Sequence, residues 1–354
     1  MAQPIEWCDG KIRFIDQTLL PGEERFVETD DPAVVAEAIR KLAVRGAPLI
    51  GIAAAYGVAL AAFKSSVADS NVRSHLQGIM SLMASTRPTA VNLFWSLDRM
   101  RRTIELHQSS SREELRAALV TEALAIHRED EEMGVRIGRF GADLLPNAAS
   151  VLTHCNTGML ATGGKGTALA AIRTAWEQNK LKHVYVDETR PLLQGARLTV
   201  WELKKFGIPH TLITDSTAAF LMQQGRVSTV LVGADRIAAN GDVANKVGTY
   251  GLAVLAHYHH IPFYVAAPSS SIDFELQDGK AIPLEQRNPD EVLNYGGKRT
   301  APEGTEVYSP AFDITPHSLI TAMVTEQGVI EPPYQVTLCG VKHTATSYGE
   351  APKP

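Results

Sequence analysis

The spacing of apolar residues divides this chain into two regions. In the first, Ile5 to Asp16 alternates apolar and polar around Asp9-Gly10, which predicts a small hairpin. Asp31-Pro32 then stands ahead of AVVAEAIRKLAV, with proline at the first helical position and apolar residues at helical spacing. The helix must end before Arg45-Gly46-Ala47-Pro48. Leu49 to Phe63 is apolar on every side and predicts a helix buried all round. TAVNLFWSLDRMRRTIE, after Arg87-Pro88, is amphipathic. Arg112 to about Leu144 carries glutamate and arginine three and four apart, as a long solvated linking helix does.

From Ser150 the rhythm changes. The runs SVLTH, KHVYV, HTLIT, STVLVGA and PFYVAA alternate with helical segments near 167–179, 195–206, 216–224 and 245–259. Such alternation predicts a parallel sheet with crossover helices. The expected fold class is therefore α/β, with a C-terminal doubly wound (Rossmann-like) parallel sheet. A smaller, mostly helical N-terminal domain carrying a short β hairpin precedes it. We place the N-terminal domain at 1–130 and the catalytic domain at 131–354. In doubly wound sheets ligands bind outside the carboxyl ends of the strands. Cys155, Asp187-Glu188, Asp215, Asp235 and Pro268 follow those ends and should line one rim.

Composition narrows the partners. At 354 residues the chain is long enough for two domains. A net charge of −5 with scattered basic residues leaves no footprint for nucleic acid. The run Leu49 to Phe63 is short and glycine-interrupted for a bilayer span, so no membrane is expected. Cys8, Cys155 and Cys339 lie too far apart in sequence for a disulfide framework or a metal cluster, and the first residues hold no apolar leader. A cytoplasmic protein is expected. His257, His259 and His260 crowd one helix end without a second group of ligands, so no metal is expected. No G-x-G-x-x-G opens the first crossover helix, and no cofactor is expected.

What remains is a candidate site. Val151 to Ala171 reads as a strand delivering Cys155, a glycine-rich loop with amides free for an anion, and a helix amino terminus from about Thr167. Cys155 is either a reactive thiol or a small buried hydrophobe. Asp235, after an apolar strand, is either a general acid of raised pKa or the cap of a turn. Asn245-Lys246 are expected to open a helix, where an ammonium suits an anionic ligand. Arg45 is either a surface arginine at a helix end or a phosphate ligand, with Gly46 permitting close backbone approach. Arg87 repeats that arrangement, and Gln194-Gly195 marks a further helix start on the same rim, to bind a sugar hydroxyl or simply to cap.

With these residues laid out, the chain resembles the 5-methylthioribose 1-phosphate isomerases. Their superfamily includes ribose 1,5-bisphosphate isomerases and the regulatory subunits of eukaryotic translation initiation factor two B. The likeness runs nearly end to end: RGAPLIGIAAAYGVAL, RPTAVNLFW, THCNTGMLATGGKGTAL, DETRPLLQGARLT, GADRIAANGDVANKVGTYGLA and PAFDITP, in that order. Ser309 before PAFD and the residues after Asp215 depart from the family pattern. The resemblance implies catalytic roles for Cys155 and Asp235, and substrate-binding roles for Arg45, Gly46, Ala47, Arg87, Gln194, Asn245 and Lys246. It also implies aldose-to-ketose isomerisation of a small sugar phosphate, and a homodimer. A ribose 1,5-bisphosphate isomerase and a non-catalytic assembly subunit are the alternatives.

Overall fold

In the computed structural model, residues 3–64 and 71–341 are described. Contacts divide them into two compact units. One holds the described residues up to Val135 together with Gly158–Gly166; the other holds Arg136–Thr157 and the described residues from Thr167 onward. The expected boundary at 130 did not foresee that the loop Gly158–Gly166 packs with the N-terminal residues.

The first unit opens with β1 (Ile5–Trp7) and β2 (Ile12–Ile15), the hairpin predicted around Asp9-Gly10. A strand that the pattern did not announce, β3 (Phe26–Thr29), pairs with β2 and completes a three-stranded antiparallel sheet. Helix α1 (Pro32–Arg40) starts as expected, with the Asp31 carboxylate accepting from the Ala33 amide. Helix α2 (Ala47–Lys64) exceeds the predicted apolar run and is long and apolar enough to cross a membrane by length and composition. Its side chains from Leu49 to Ala62 are nevertheless all buried, against α1, α3 (Val72–Ala84) and α4 (Val91–Leu106). It is the central helix of this unit's core. Two small residues let its neighbours close in: a Cβ on Gly51 would stand 2.6 Å from the Asn92 carbonyl oxygen, and one on Gly57 2.3 Å from the Met83 methyl.

Helix α5 (Arg112–Leu144) matches the predicted linking helix and passes from the first unit into the second. The second unit continues with β4 (Ala149–Thr153), α6 (Ala168–Glu177), β5 (Leu181–Asp187), α7 (Val200–Lys205), β6 (His210–Ile213), α8 (Thr217–Gln223) and β7 (Thr229–Val232). After it come β8 (Arg236–Ala238), β9 (Val243–Lys246), α9 (Thr249–Tyr258), β10 (Phe263–Ala266), β11 (Ile272–Asp273), α10 (Asp290–Leu293), β12 (Asn294–Tyr295) and β13 (Lys298–Arg299). β14 (Phe312–Thr315), β15 (Ala322–Thr325), β16 (Gly328–Ile330) and α11 (Tyr334–Thr337) close the described chain.

The main sheet has the order β16-β15-β10-β7-β4-β5-β6, parallel throughout except for β16 at one edge. The five predicted strands run side by side as β10-β7-β4-β5-β6, with β6 at one edge; β15 and β16 extend the sheet beyond β10. Chain order leaves β4 toward β5 and β6, then returns to β7 on the other side of β4. That reversal is the switch point of a doubly wound sheet, the crevice where such folds bind ligands. β7 is buried at every residue, as a strand covered on both faces must be. A second sheet, β11-β8-β9-β14, was not anticipated.

Candidate active site

Cys155 and Asp235 leave the sheet from adjacent strands at the switch point. β4 and β7 pair with Leu152 opposite Val230, so the same register carried onward sets Cys155 level with Gly233. Gly233 lies against the turn after Cys155: a Cβ there would stand 2.6 Å from the Thr157 methyl. The thiol and the carboxyl therefore come from neighbouring turns on one edge. Cys155 is buried and Asp235 half-buried. β7 stops at Val232, so Asp235 stands beyond the strand rather than on its end, with its amide donating to the Ala244 carbonyl at 2.9 Å.

Cys155 is held in an unusual backbone conformation. Its φ is +64°, a left-handed value that an L-residue with a Cβ seldom adopts. Two threonines hold it there: the Cys155 amide donates to Thr189 Oγ1 at 2.8 Å, and Thr199 Oγ1 donates to the Cys155 carbonyl at 2.6 Å. Thr189 is itself at φ +66°. Its amide and that of Arg190 both donate to the Asp215 carboxylate at 2.8 Å. Behind the thiol, Asn156 Nδ2 donates to the fully buried Glu202 at 2.8 Å. Thr189, Thr199, Asn156 and Glu202 were not anticipated; no local pattern in the sequence marks them.

The residue before Cys155 is a buried titratable group at this edge. His154 Nδ1 lies 2.9 Å from Asp187 Oδ2 at the end of β5, and its Nε2 lies 2.9 Å from the Val247 carbonyl. A carbonyl only accepts, so Nε2 carries a proton. Burial pulls the His154 pKa down, but the hydrogen bond it donates to Asp187 and the charges of Asp187 and Asp215 outweigh it and raise the ring above the ordinary histidine value. Burial pushes the Asp187 carboxyl up to about 6, against the opposing pull of His154. His154, Asp187 and Asp215 offer ligand atoms within 4.8 Å of one another. Both imidazole nitrogens are already engaged, so the ring has no lone pair to give a metal in this arrangement.

Gln194 is buried, and its Oε1 is a buried acceptor that no group among the described residues fills. It precedes a single π-helical turn, Gly195–Thr199, that leads into α7. That turn can press on β5 only because residue 195 has no side chain: a Cβ there would stand 1.7 Å from the Asp187 carbonyl oxygen. Asn245 and Lys246 differ from expectation. They end strand β9 instead of opening a helix, because β9 pairs with β8 on one side and β14 on the other. Helix α9 begins only at Thr249, after Gly248 at φ +108°. Buried Asn245 donates to Thr249 Oγ1 at 3.0 Å, and Lys246 Nζ donates to the Ala311 carbonyl at 2.8 Å while lying over the Phe312 ring.

The first unit holds the remaining candidates. Arg45 and Gly46 end the loop between α1 and α2, Ala47 is the first residue of α2, and half-buried Arg87 lies in the turn between α3 and α4. Gly46, at φ +98°, makes the close approach expected of it, but to protein: a Cβ would stand 2.4 Å from Ala161 Cα. The glycine loop after Cys155 also departs from expectation. Two of its glycine amides are taken, with Gly163 donating to Asp130 at 2.6 Å and Gly164 to Thr162 Oγ1 at 3.2 Å. The Gly163 carbonyl accepts from His127 Nε2 at 2.8 Å, and His127 Nδ1 therefore accepts from the Tyr56 hydroxyl at 2.7 Å. At Gly163 the loop is packed on α5 through its amide and its carbonyl, so this part of it is not free for an anion.

The model of the "Initiation factor 2 subunit family" matches residues 43–332. The chain belongs to this family, in its methylthioribose-1-phosphate isomerase branch. It is 51% identical over 338 residues to the methylthioribose-1-phosphate isomerase of Desulforamulus reducens, covering 95% of this chain and 98% of the relative. It is 53% identical to the 5-deoxyribose 1-phosphate isomerase of Moorella thermoacetica, covering 96% and 97%. The crystal structure of 5-methylthioribose 1-phosphate isomerase from Pyrococcus horikoshii superposes with a TM-score of 0.91 at 46% identity, covering 96% of this chain and 95% of that one. That structure and this chain thus share one fold over nearly their whole lengths.

Proposed function

We propose that the protein is an aldose–ketose isomerase converting 5-methylthioribose 1-phosphate to 5-methylthioribulose 1-phosphate. The observation that carries this reading is Cys155, strained at the switch point of the sheet, on the strand next to the one that leads to Asp235. A sugar phosphorylated at its anomeric oxygen cannot present a free aldehyde, so the ring has to open by another route. Asp235 gives a proton to the ring oxygen and the bond from that oxygen to carbon one breaks. Hydrogen then leaves carbon two for carbon one and the hydroxyl on carbon two loses its proton, which yields the ketose. Cys155 assists at carbon two. Arg45 and Arg87, the Gly46-Ala47 backbone and Lys246 hold the phosphate dianion, and Asn245 and Gln194 bind sugar hydroxyls. The unfilled Gln194 Oε1 supports its part: a buried acceptor without a donor among the described residues suits a hydroxyl brought by the ligand. In this division of labour residues 1–130 supply phosphate-binding loops and 131–354 the chemistry.

A homodimer fits the surface of the second unit. α9 exposes Tyr250, Val254 and Tyr258, four apart along one face, and α8, packed on α9, exposes Phe220. Three free cysteines suit a reducing cytoplasm, and the net charge of −5 suits a small substrate rather than nucleic acid or an anionic membrane.

Purified protein assayed on 5-methylthioribose 1-phosphate, 5-deoxyribose 1-phosphate and ribose 1,5-bisphosphate tests the assignment. Turnover of the first is expected, with Asp235→Asn and Cys155→Ser each lowering it by about a hundredfold or more. No turnover on any of the three would leave a non-catalytic assembly subunit as the better reading. Preference for the bisphosphate would move the assignment to that isomerase. Deuterium on carbon two separates the routes of hydrogen, since washout into solvent eliminates direct transfer between the carbons.

A further inference from the structure

We propose that His154 is a positioning residue for this isomerisation. Its doubly protonated ring ties together the three segments that carry Cys155, Gln194 and Asn245-Lys246, and turnover depends on the ring keeping its charge. The proposal rests on the isomerase reading above, and its geometry is independent of that reading. His154 adjoins Cys155 at the end of β4, and one ring nitrogen reaches the carboxylate that ends β5. The carbonyl of that same Asp187 accepts from Thr189 Oγ1 at 3.1 Å, and the Gly195 turn after Gln194 packs on it. The other ring nitrogen reaches Val247, the residue after Lys246. Gly248 completes the fit, since a Cβ on it would stand 3.0 Å from the ring. One buried side chain therefore spans segments far apart in sequence that carry four of the proposed site residues, Cys155, Gln194, Asn245 and Lys246.

The proton count follows from the partners. The Val247 carbonyl requires a proton on Nε2, and the bond between Nδ1 and Asp187 requires a second; with the Asp187 carboxyl ionised, as it is above about pH 6, the clamp is complete as imidazolium facing carboxylate. The charged groups about the pair are Asp187 and Glu188 at the end of β5, Asp215 after β6 and Asp313 on β14, all acidic. They favour the cation. Loss of its proton leaves Nδ1 and the carboxylate as two acceptors face to face, and the clamp loosens.

Nitrogen-15 spectra of the histidine-labelled full chain and the pH profile of kcat test the proposal together. At pH 7.5 both nitrogens of one buried ring, identified by its disappearance in His154→Gln, are expected to be protonated. Asp187→Asn should keep an oxygen acceptor but remove the charge. It should move both the ring titration and the alkaline limb of kcat toward acid by about one pH unit or more. His154→Gln should lower kcat at least about tenfold and lose that limb. A neutral His154 ring in the unaltered protein at pH 7.5 would overturn the proposal, as would an unmoved kcat profile in Asp187→Asn. The spectra need no substrate and no turnover, so they stand if the isomerase assignment fails. Conversely, normal turnover with a neutral ring would sink the proposal and leave the assignment intact.

Discussion

Thr189 accepts the amide hydrogen of Cys155 through its hydroxyl oxygen at 2.8 Å, and both residues occupy left-handed backbone conformations, at φ +66° and +64°. Neither is glycine, so each conformation carries a steric cost that its neighbours must offset. The threonine hydroxyl offsets part of it at both turns. It accepts from the Cys155 amide and donates to the Asp187 carbonyl.

Thr189→Val keeps the shape and removes that hydroxyl. It leaves a buried amide and a buried carbonyl each short of a partner, so about 1–3 kcal/mol of stability should go. kcat should fall further than KM rises, because the thiol is displaced. Thr189→Ser should recover most of both. Denaturant midpoints and steady-state kinetics on the three proteins check this, and a valine variant as active as the parent would mean that Cys155 holds its conformation without the clamp.

Gly195→Ala should be among the most damaging single changes in the second unit. The added methyl would stand 1.7 Å from the Asp187 carbonyl oxygen, a backbone atom, with Thr189 Oγ1 also close at 3.0 Å. A loss of about 3 kcal/mol or more is expected, as overpacking gives, and with it the alignment of Gln194. Gly78→Ala is the control. That residue is exposed inside α3 with nothing within 4 Å of the new methyl, so about 0.5–1 kcal/mol of stabilisation should follow. Thermal melts of the two variants should move in opposite directions.

Asp130 makes stability depend on pH. Burial and the charge of Glu131, against the Gly163 amide that lowers it, push its carboxyl up to about 7 from an ordinary 3.8. A folded-state pKa above the unfolded value means that the native state binds the proton more tightly. The contribution is present in full below about pH 4 and is lost as pH rises through about 7. Asp130→Asn retains an oxygen for the Gly163 amide and cannot ionise. Its melting temperature should vary less between pH 5 and 8 than the parent's, with the variant relatively more stable at pH 8. Parallel melting curves across that range would show that Asp130 ionises in the native state at no cost.

The exposed stripe on α9 gives a test of assembly. Val254→Glu combined with Tyr258→Glu puts two charges on a face that the fold of one chain leaves in solvent. Folding of the chain should be nearly unaffected, whereas a homodimer through this face should dissociate. Sedimentation velocity is expected to show a dimer for the parent and a monomer for the double variant; a dimer in both would move the interface elsewhere.

Much of this was legible along the chain because periodicity reports burial. Strands buried on both faces read as apolar runs, the helix buried all round read as one, and the polar residue closing each run marked the sheet edge where Cys155, Asp187 and Asp235 lie. Long α5 was bounded correctly at Arg112 and Leu144 for the same local reason. Other features follow from partners distant in sequence, and no local pattern carries them. Asn245-Lys246 looked like a helix start because small and apolar residues follow them, yet pairing with β14, about 65 residues later, makes them strand. The glycine loop looked open because glycine leaves room for a ligand; here the room is filled by α5, whose Asp130 and His127 take up its backbone. His154 read as the last letter of a strand until β5 brought Asp187 to it. Cys155 and Asp235 are 80 positions apart, and what makes them neighbours is the strand order, which returns the chain to the far side of β4. Local chemistry decided which residues were equipped to react; only the closure of the sheet decided which of them could meet.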